Sequence, residues 1–181
     1  SRGILVLGRD AADGTRYQAL PGAEAVDAAG CQVVSGIPVD TGGTWFAAGG
    51  TLDTREVCAA LGDGVSTRFG NGITHLARQK DGWRLHLDDA SVQDAAAVIL
   101  ANGIDAMALS GFSAMALAAN RGQISYVAAT PISDQITAPI TFGSYLTPAV
   151  DGMHILGATF DREADWNADS WVAVREDDHR R

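Results

Sequence analysis

Cysteine is scarce in this chain. Cys31 and Cys58 are the whole complement, and no Cys-x-x-Cys spacing occurs. That excludes a disulfide scaffold and a thiolate zinc site, and leaves two small core hydrophobes suited to a reducing cytoplasm. Long hydrophobic runs are missing as well. None approaches the roughly 18 residues that a membrane span requires, and no basic stretch followed by an apolar core opens the chain as in a signal peptide. Positive charge is also short. Thirteen Lys and Arg stand against 22 Asp and Glu, a net charge of -9. An acidic surface repels phosphate, so this stretch by itself is a poor nucleic-acid binder.

Several chemical signatures are absent. The sequence holds no G-x-S-x-G elbow, no P-loop and no G-x-G-x-x-G dinucleotide fingerprint. "GNGITH" from Gly70 has two of the three glycines and reads as a turn. His75, His86, His154 and His179 show no pairing at i, i+4, which argues against a metal site. The adjacent carboxylates Asp88-Asp89 and Asp177-Asp178 fall in turn-like or tail segments, where they read as solvated.

What is present is globular: 181 residues, 46% hydrophobic and 19% charged. That length fits one domain, or one lobe with part of another, and buries a sizeable core without staples. "GILVLG" reads as a buried strand, "RDAADGTRYQALPG" as a helix ending at Pro21-Gly22, and "AEAVDAAGCQVVSGIP" as a second short helix followed by an extended segment. A short aromatic strand follows over residues 44–46. A helix to about Leu61 comes next, capped by Asp53 or Thr54, with Glu56 in its first turn and Gly62 and Gly64 at its end. Asp81-Gly82 between two alternating runs signals a hairpin.

"AAAVILANG", residues 95–103, is a continuous apolar run and predicts a strand buried on both faces. Its small residues at the end would let a backbone approach a flat ligand. "MALSGFSAMALAAN" reads as a helix or an irregular apolar cover. "RGQISYVAAT", "ITFGSYLTPA" and "MHILGATF" predict three antiparallel strands, the last two joined by a turn at Asp151-Gly152. The tail ending "REDDHRR" reads as the first turns of a helix, and with the missing initial Met suggests one piece of a longer protein. Within the final hairpin, Tyr145 and Arg162 are candidates for the rim of a cavity, where a phenol and a guanidinium can orient an anionic or amine substrate. The plainer reading is ordinary sheet, with Gly157 and Ala158 small because a neighbour crosses closely.

Four segments in order carry a resemblance: "GGTWFAAGGTLDTREVCAAL", "VILANG", "RGQISYV" and "GSYLTPAVDGMHILGATFDREADW". Together they resemble the D-amino-acid-oxidase-like FAD-dependent oxidoreductases, the group of the glycine and sarcosine oxidases. Within that group they are most similar to the flavin-dependent half of bifunctional tRNA-modifying enzymes, although Ser144 here separates Gly143 from Tyr145.

The resemblance implies an α+β fold: a substrate lobe built on a large mixed, mostly antiparallel sheet with flanking helices, most of the Rossmann-like FAD lobe being absent. Residues 1–181 would form a single fragment, mainly the substrate-binding lobe, with residues 62–103 packing toward the FAD lobe. It implies FAD as the cofactor of the full-length protein, bound weakly or not at all by this fragment. It also implies oxidation of the carboxymethylaminomethyl group of wobble uridine in tRNA, and a methyltransferase domain in the same chain as a partner. Cofactor contacts would fall at Gly49, Gly50, Ile73, Ala101, Asn102 and Gly103, and substrate contacts at Tyr145, Arg121 and Gln123, with Arg162 as a candidate cation for the substrate carboxylate. A small-molecule amine oxidase of the glycine, sarcosine or D-amino-acid type is the alternative, mildly favoured by the acidic charge. A non-catalytic binding domain is the alternative of another class.

Overall fold

A computed structural model describes residues 3–8, 16–111, 117–118 and 120–162. The chain divides into two compact units, Ser1–Ala59 with Asn120–Arg181, and Ala60–Ala119. The first is built on a seven-stranded sheet ordered β2-β3-β1-β9-β10-β11-β8. Its strands are β1 (Ile4–Val6), β2 (Ala23–Val26), β3 (Gly43–Phe46), β8 (Ile124–Ala128), β9 (Ile140–Thr141), β10 (Tyr145–Leu146) and β11 (Met153–Gly157). β1 and β9 run parallel and the other neighbours antiparallel, so the sheet is mixed and mostly antiparallel, as expected.

Helix α1 (Ala28–Ser35) starts where Asp27 accepts a hydrogen bond from the Gly30 N–H at 2.8 Å, and stops at Gly36 in the left-handed region. Register settles which face of the sheet it covers. Leu5 pairs with Trp45 and Ile140, and Ile140 with Leu146. Directly paired residues share a face. Leu5, Ile140, Cys31 and Ile136 form the buried cluster, with Trp45 and Leu146 packed against it. Burial, with Asp27 nearby, pushes the Cys31 thiol up, which suits an inert core residue.

The second unit holds a three-stranded antiparallel sheet, β4 (Ile73–Gln79), β5 (Gly82–Leu87) and β6 (Val92–Ala95). Arg84 pairs with Asp94 across β5 and β6 through two hydrogen bonds of 2.7 and 2.8 Å. The Arg78 guanidinium lies 5.2 Å from the Trp83 ring centre. Helix α2 (Thr54–Leu61) is capped by Asp53, whose carboxylate accepts from the N–H groups of Arg55 and Glu56.

Four expectations need correction. Ala23–Val26 is a strand and the helix follows it, the reverse of the predicted order; pairing with β3 overrides the weak strand preference of Ala-Glu-Ala-Val. "ITFGSYL" folds back on itself as β9 and β10 instead of running as one strand. "RGQISYV" contributes to two sheets, with Arg121 in β7 (Asn120–Arg121), paired to β12 (Asp161–Arg162), and Ile124–Ala128 in β8.

Fourth, residues 95–103 are not a strand buried on both faces. β6 ends at Ala95, residues 97–101 pair with no strand among those described, and Ile99 is 91% exposed. An apolar run needs a ladder partner as well as hydrophobicity to become a buried strand. The predicted helix before Pro21 and the tail helix lie largely or wholly outside the described residues.

Candidate functional site

Tyr145 stands in β10 directly opposite Gly157 of β11, and Gly157 stands opposite Ile124 of β8. All three therefore share the face opposite α1, and Tyr145 is half-buried there. A Cβ on Gly157 would lie 2.8 Å from Ile124 Cγ2 and 3.2 Å from the Tyr145 phenol oxygen. The missing side chain thus leaves the space that the tyrosine ring uses. The turn that returns β11 toward β10 places Asp151 at φ 50° and Gly152 at φ 75°, a pair matching the tight hairpin turn.

Arg121 is buried, at 6% exposure. Its Nη2 donates to Gln123 Oε1 at 3.3 Å, so two of the predicted substrate residues do meet. Gln123 is itself fixed: its backbone N–H donates to Thr159 Oγ1 at 3.0 Å, and Thr159 N–H donates to the Gln123 carbonyl at 3.1 Å. Its amide also donates to the Ile124 carbonyl at 2.7 Å. Thr159 was not singled out from the sequence, because nothing in "GATF" distinguishes a clamp from an ordinary strand end. Arg162 lies in β12 opposite Asn120; its side chain is outside the described residues.

Behind this face, on the α1 side, sits His154, 2% exposed. Nδ1 lies 2.8 Å from the Thr147 carbonyl and Nε2 2.9 Å from Ser133 Oγ. A carbonyl only accepts, so Nδ1 carries the proton, and a neutral ring then accepts the Ser133 hydroxyl at Nε2. Ser133 and Thr130 bond reciprocally, side chain to backbone, across the turn before the short helix Ser133–Gln135. Sequence reading placed His154 simply in a strand; only the fold brings Thr147 and Ser133 to it.

The predicted cofactor residues fall in both units. Gly49 accepts the Gly3 N–H through its carbonyl, and a Cβ there would strike Ile4 at 2.3 Å, so sheet packing alone requires this glycine. Gly50 is exposed. In the second unit Ile73 opens β4 opposite Leu87, 36% exposed. Ala101 and Asn102 are exposed, and Gly103 begins a short 3-10 turn at φ 63° with open space where its Cβ would stand. Small residues with accessible backbone fit contact with a flat ring. The sequence has no G-x-G-x-x-G fingerprint to hold the pyrophosphate of FAD at a helix N-terminus. These residues therefore suit parts of that cofactor and do not make its phosphate cradle. Among the described residues no group of three or more His, Cys, Asp or Glu is placed to hold a metal ion, and no helix is long and apolar enough to cross a membrane.

The fold has counterparts among solved structures. Glycine oxidase from Bacillus cereus superposes with a TM-score of 0.78 at 14% identity, over 99% of this chain and 53% of the oxidase. Iminodiacetate oxidase from Chelativorans sp. gives 0.73 at 16% identity, over 99% and 53%. The chain belongs to the DAO family of FAD dependent oxidoreductases, whose model matches residues 1–181. Among curated relatives, the tRNA 5-methylaminomethyl-2-thiouridine biosynthesis bifunctional protein MnmC of Magnetococcus marinus is 31% identical, over 99% of this chain and 28% of that protein. Its counterpart in Azoarcus sp. is 33% identical, over 88% and 27%. The chain thus spans about a quarter of the length of these relatives.

Proposed function

We propose that this chain is a fragment, mainly the substrate-binding lobe, of an FAD-dependent amine oxidoreductase acting on tRNA, with the carboxymethylaminomethyl group of the wobble uridine as its substrate. The observation that carries the reading is identity of about 30% to the MnmC proteins along almost the whole chain, through the segment that places Tyr145 against Gly157. FAD, when bound, supplies the two-electron oxidation of a C–H bond next to nitrogen. Gly49, Gly50, Ile73, Ala101, Asn102 and Gly103 are the residues assigned to contact with it, residues 62–103 packing toward the FAD lobe.

This chain's own part is positioning. The Tyr145 phenol stands at the open face, where it can hydrogen-bond a substrate carboxylate or amine. The Arg121 guanidinium, held by Gln123, supplies positive charge from β7, and Arg162 is assigned to the substrate carboxylate. Holding an amine in one orientation accounts for a large share of the catalytic demand, since the redox chemistry belongs to the cofactor. A methyltransferase domain in the same polypeptide and a cytoplasmic setting follow from the same reading.

A small amine or amino acid is the competing substrate, and the net charge of -9 favours it, because phosphate contacts call for basic surface. The test is a substrate comparison with the full-length protein. Oxidation of carboxymethylaminomethyl-tRNA with little turnover of glycine or sarcosine supports the tRNA reading. The reverse order assigns the protein to the small-molecule oxidases, and a purified full-length protein without flavin absorption rejects both.

A further inference from the structure

Tyr126 lies in β8, the terminal strand of the seven-stranded sheet. It pairs with Ile155, two positions along from the Ile124–Gly157 pair, so it shares the face of Tyr145. Its side chain is 63% exposed, and the same face carries Met153 at 37% and Ile124 at 36%. A tyrosine left mainly in water beside other apolar side chains forms a patch of the kind that marks a binding surface.

We propose that Tyr126 is a stacking platform for a base of single-stranded RNA, next to the nucleotide whose modified side chain reaches Tyr145. The inference rests on the tRNA reading above and deepens it. The chain carries nine more acidic than basic charges, so an RNA substrate gains little here from its phosphates. Aromatic stacking is indifferent to that sign and holds any base by its face.

Strand geometry sets the spacing. Tyr145 and Tyr126 lie two strands apart and two residues apart along the strand, a Cα separation of about 12 Å from the usual sheet spacings. That far exceeds the ~3.4 Å rise of stacked bases. The pair therefore suits a loop whose bases are splayed apart, the form in which RNA is read on aromatic side chains.

The experiment measures binding of an anticodon stem-loop RNA to the full-length protein, for wild type, Tyr126→Ala and Tyr126→Phe. Tyr126→Ala is expected to weaken binding by about 5- to 100-fold, the range for loss of one stacked base. Tyr126→Phe keeps the ring and should bind within about twofold of wild type. A stem-loop with an abasic nucleotide beside the wobble position should bind wild type as weakly as the intact loop binds Tyr126→Ala, and should cost Tyr126→Ala nothing more. Equal affinity of wild type and Tyr126→Ala overturns the proposal, as do additive effects of the variant and the abasic site. A wild-type dimer that dissociates on Tyr126→Ala would mean that a second copy covers the ring, which also overturns it. RNA binding through Tyr126 by a protein that oxidises no wobble uridine would reject the proposed reaction and the placement beside Tyr145, and keep the stacking of an RNA base on Tyr126.

Discussion

Gly157 and Tyr145 face each other across the β10–β11 ladder, and a Cβ on the glycine would stand 3.2 Å from the tyrosine's phenol oxygen. The small residue and the aromatic one are therefore a single feature. Gly157→Ala should push both the phenol and Ile124 aside. We expect a stability loss of about 1–3 kcal/mol, the usual range for an overpacked site, with weakened substrate binding in the full-length enzyme. Urea unfolding and substrate affinity measured on the same variant check this.

His154 ties β11 to Thr147 and to the turn at Ser133 through two hydrogen bonds in a nearly sealed position. Replacing it by Ala removes both bonds, leaves the Thr147 carbonyl short of a donor and opens a cavity. The expected cost is about 2–4 kcal/mol. His154→Ala should lower the urea midpoint with little change in its slope.

Two glycines at positive φ should respond differently to alanine. Gly152 has open space around it, so Gly152→Ala meets only the backbone penalty of about 1 kcal/mol. At Gly36, φ is +84° and an added Cβ would lie 2.0 Å from the Gln135 carbonyl oxygen. Gly36→Ala should cost more than Gly152→Ala by several kcal/mol or prevent folding, which parallel thermal melts would read out.

In the second unit the hydrogen bond from Arg84, aided by its charge, holds the Asp94 carboxyl below its ordinary range, and bonds from the Ser91 hydroxyl and N–H do the same for Asp89. A depressed folded-state value stabilises the fold above the unfolded value, near 3.9 for Asp. That contribution is lost as pH falls through the folded value. Both groups are exposed, so the effect is small and screened by salt. Amide protection along β5 and β6, taken relative to the intrinsic exchange rate at each pH, should fall below about pH 4, and Asp94→Asn should abolish Asp94's share of that dependence.

Local signals were the legible ones. Asp53 caps its helix, Asp151-Gly152 makes its turn, and the β4–β5 hairpin forms where the alternation places it, because each is decided within a few residues. Even there the reason at Gly82 differs: it opens β5, and a Cβ would strike the Ala95 carbonyl oxygen at 2.4 Å, so β6 and not the turn requires glycine. Residues 23–26 and 95–103 were misread because a strand exists only with its partner, and partners are set by tertiary pairing. Of the candidate site, Tyr145 could be named from the hairpin pattern. Thr159, His154 and Tyr126 could not, since clamp, network and shared face arise only from register across strands distant in sequence.

The most direct test of the account is rapid mixing of the full-length protein with carboxymethylaminomethyl-tRNA in the absence of oxygen, following the flavin spectrum of wild type and Tyr145→Phe. If the Tyr145 face meets the substrate, both proteins carry the same oxidised flavin and the variant's flavin is reduced about 10- to 100-fold more slowly, the loss of a hydrogen bond to a charged group. Reduction of the variant's flavin at the wild-type rate would contradict it.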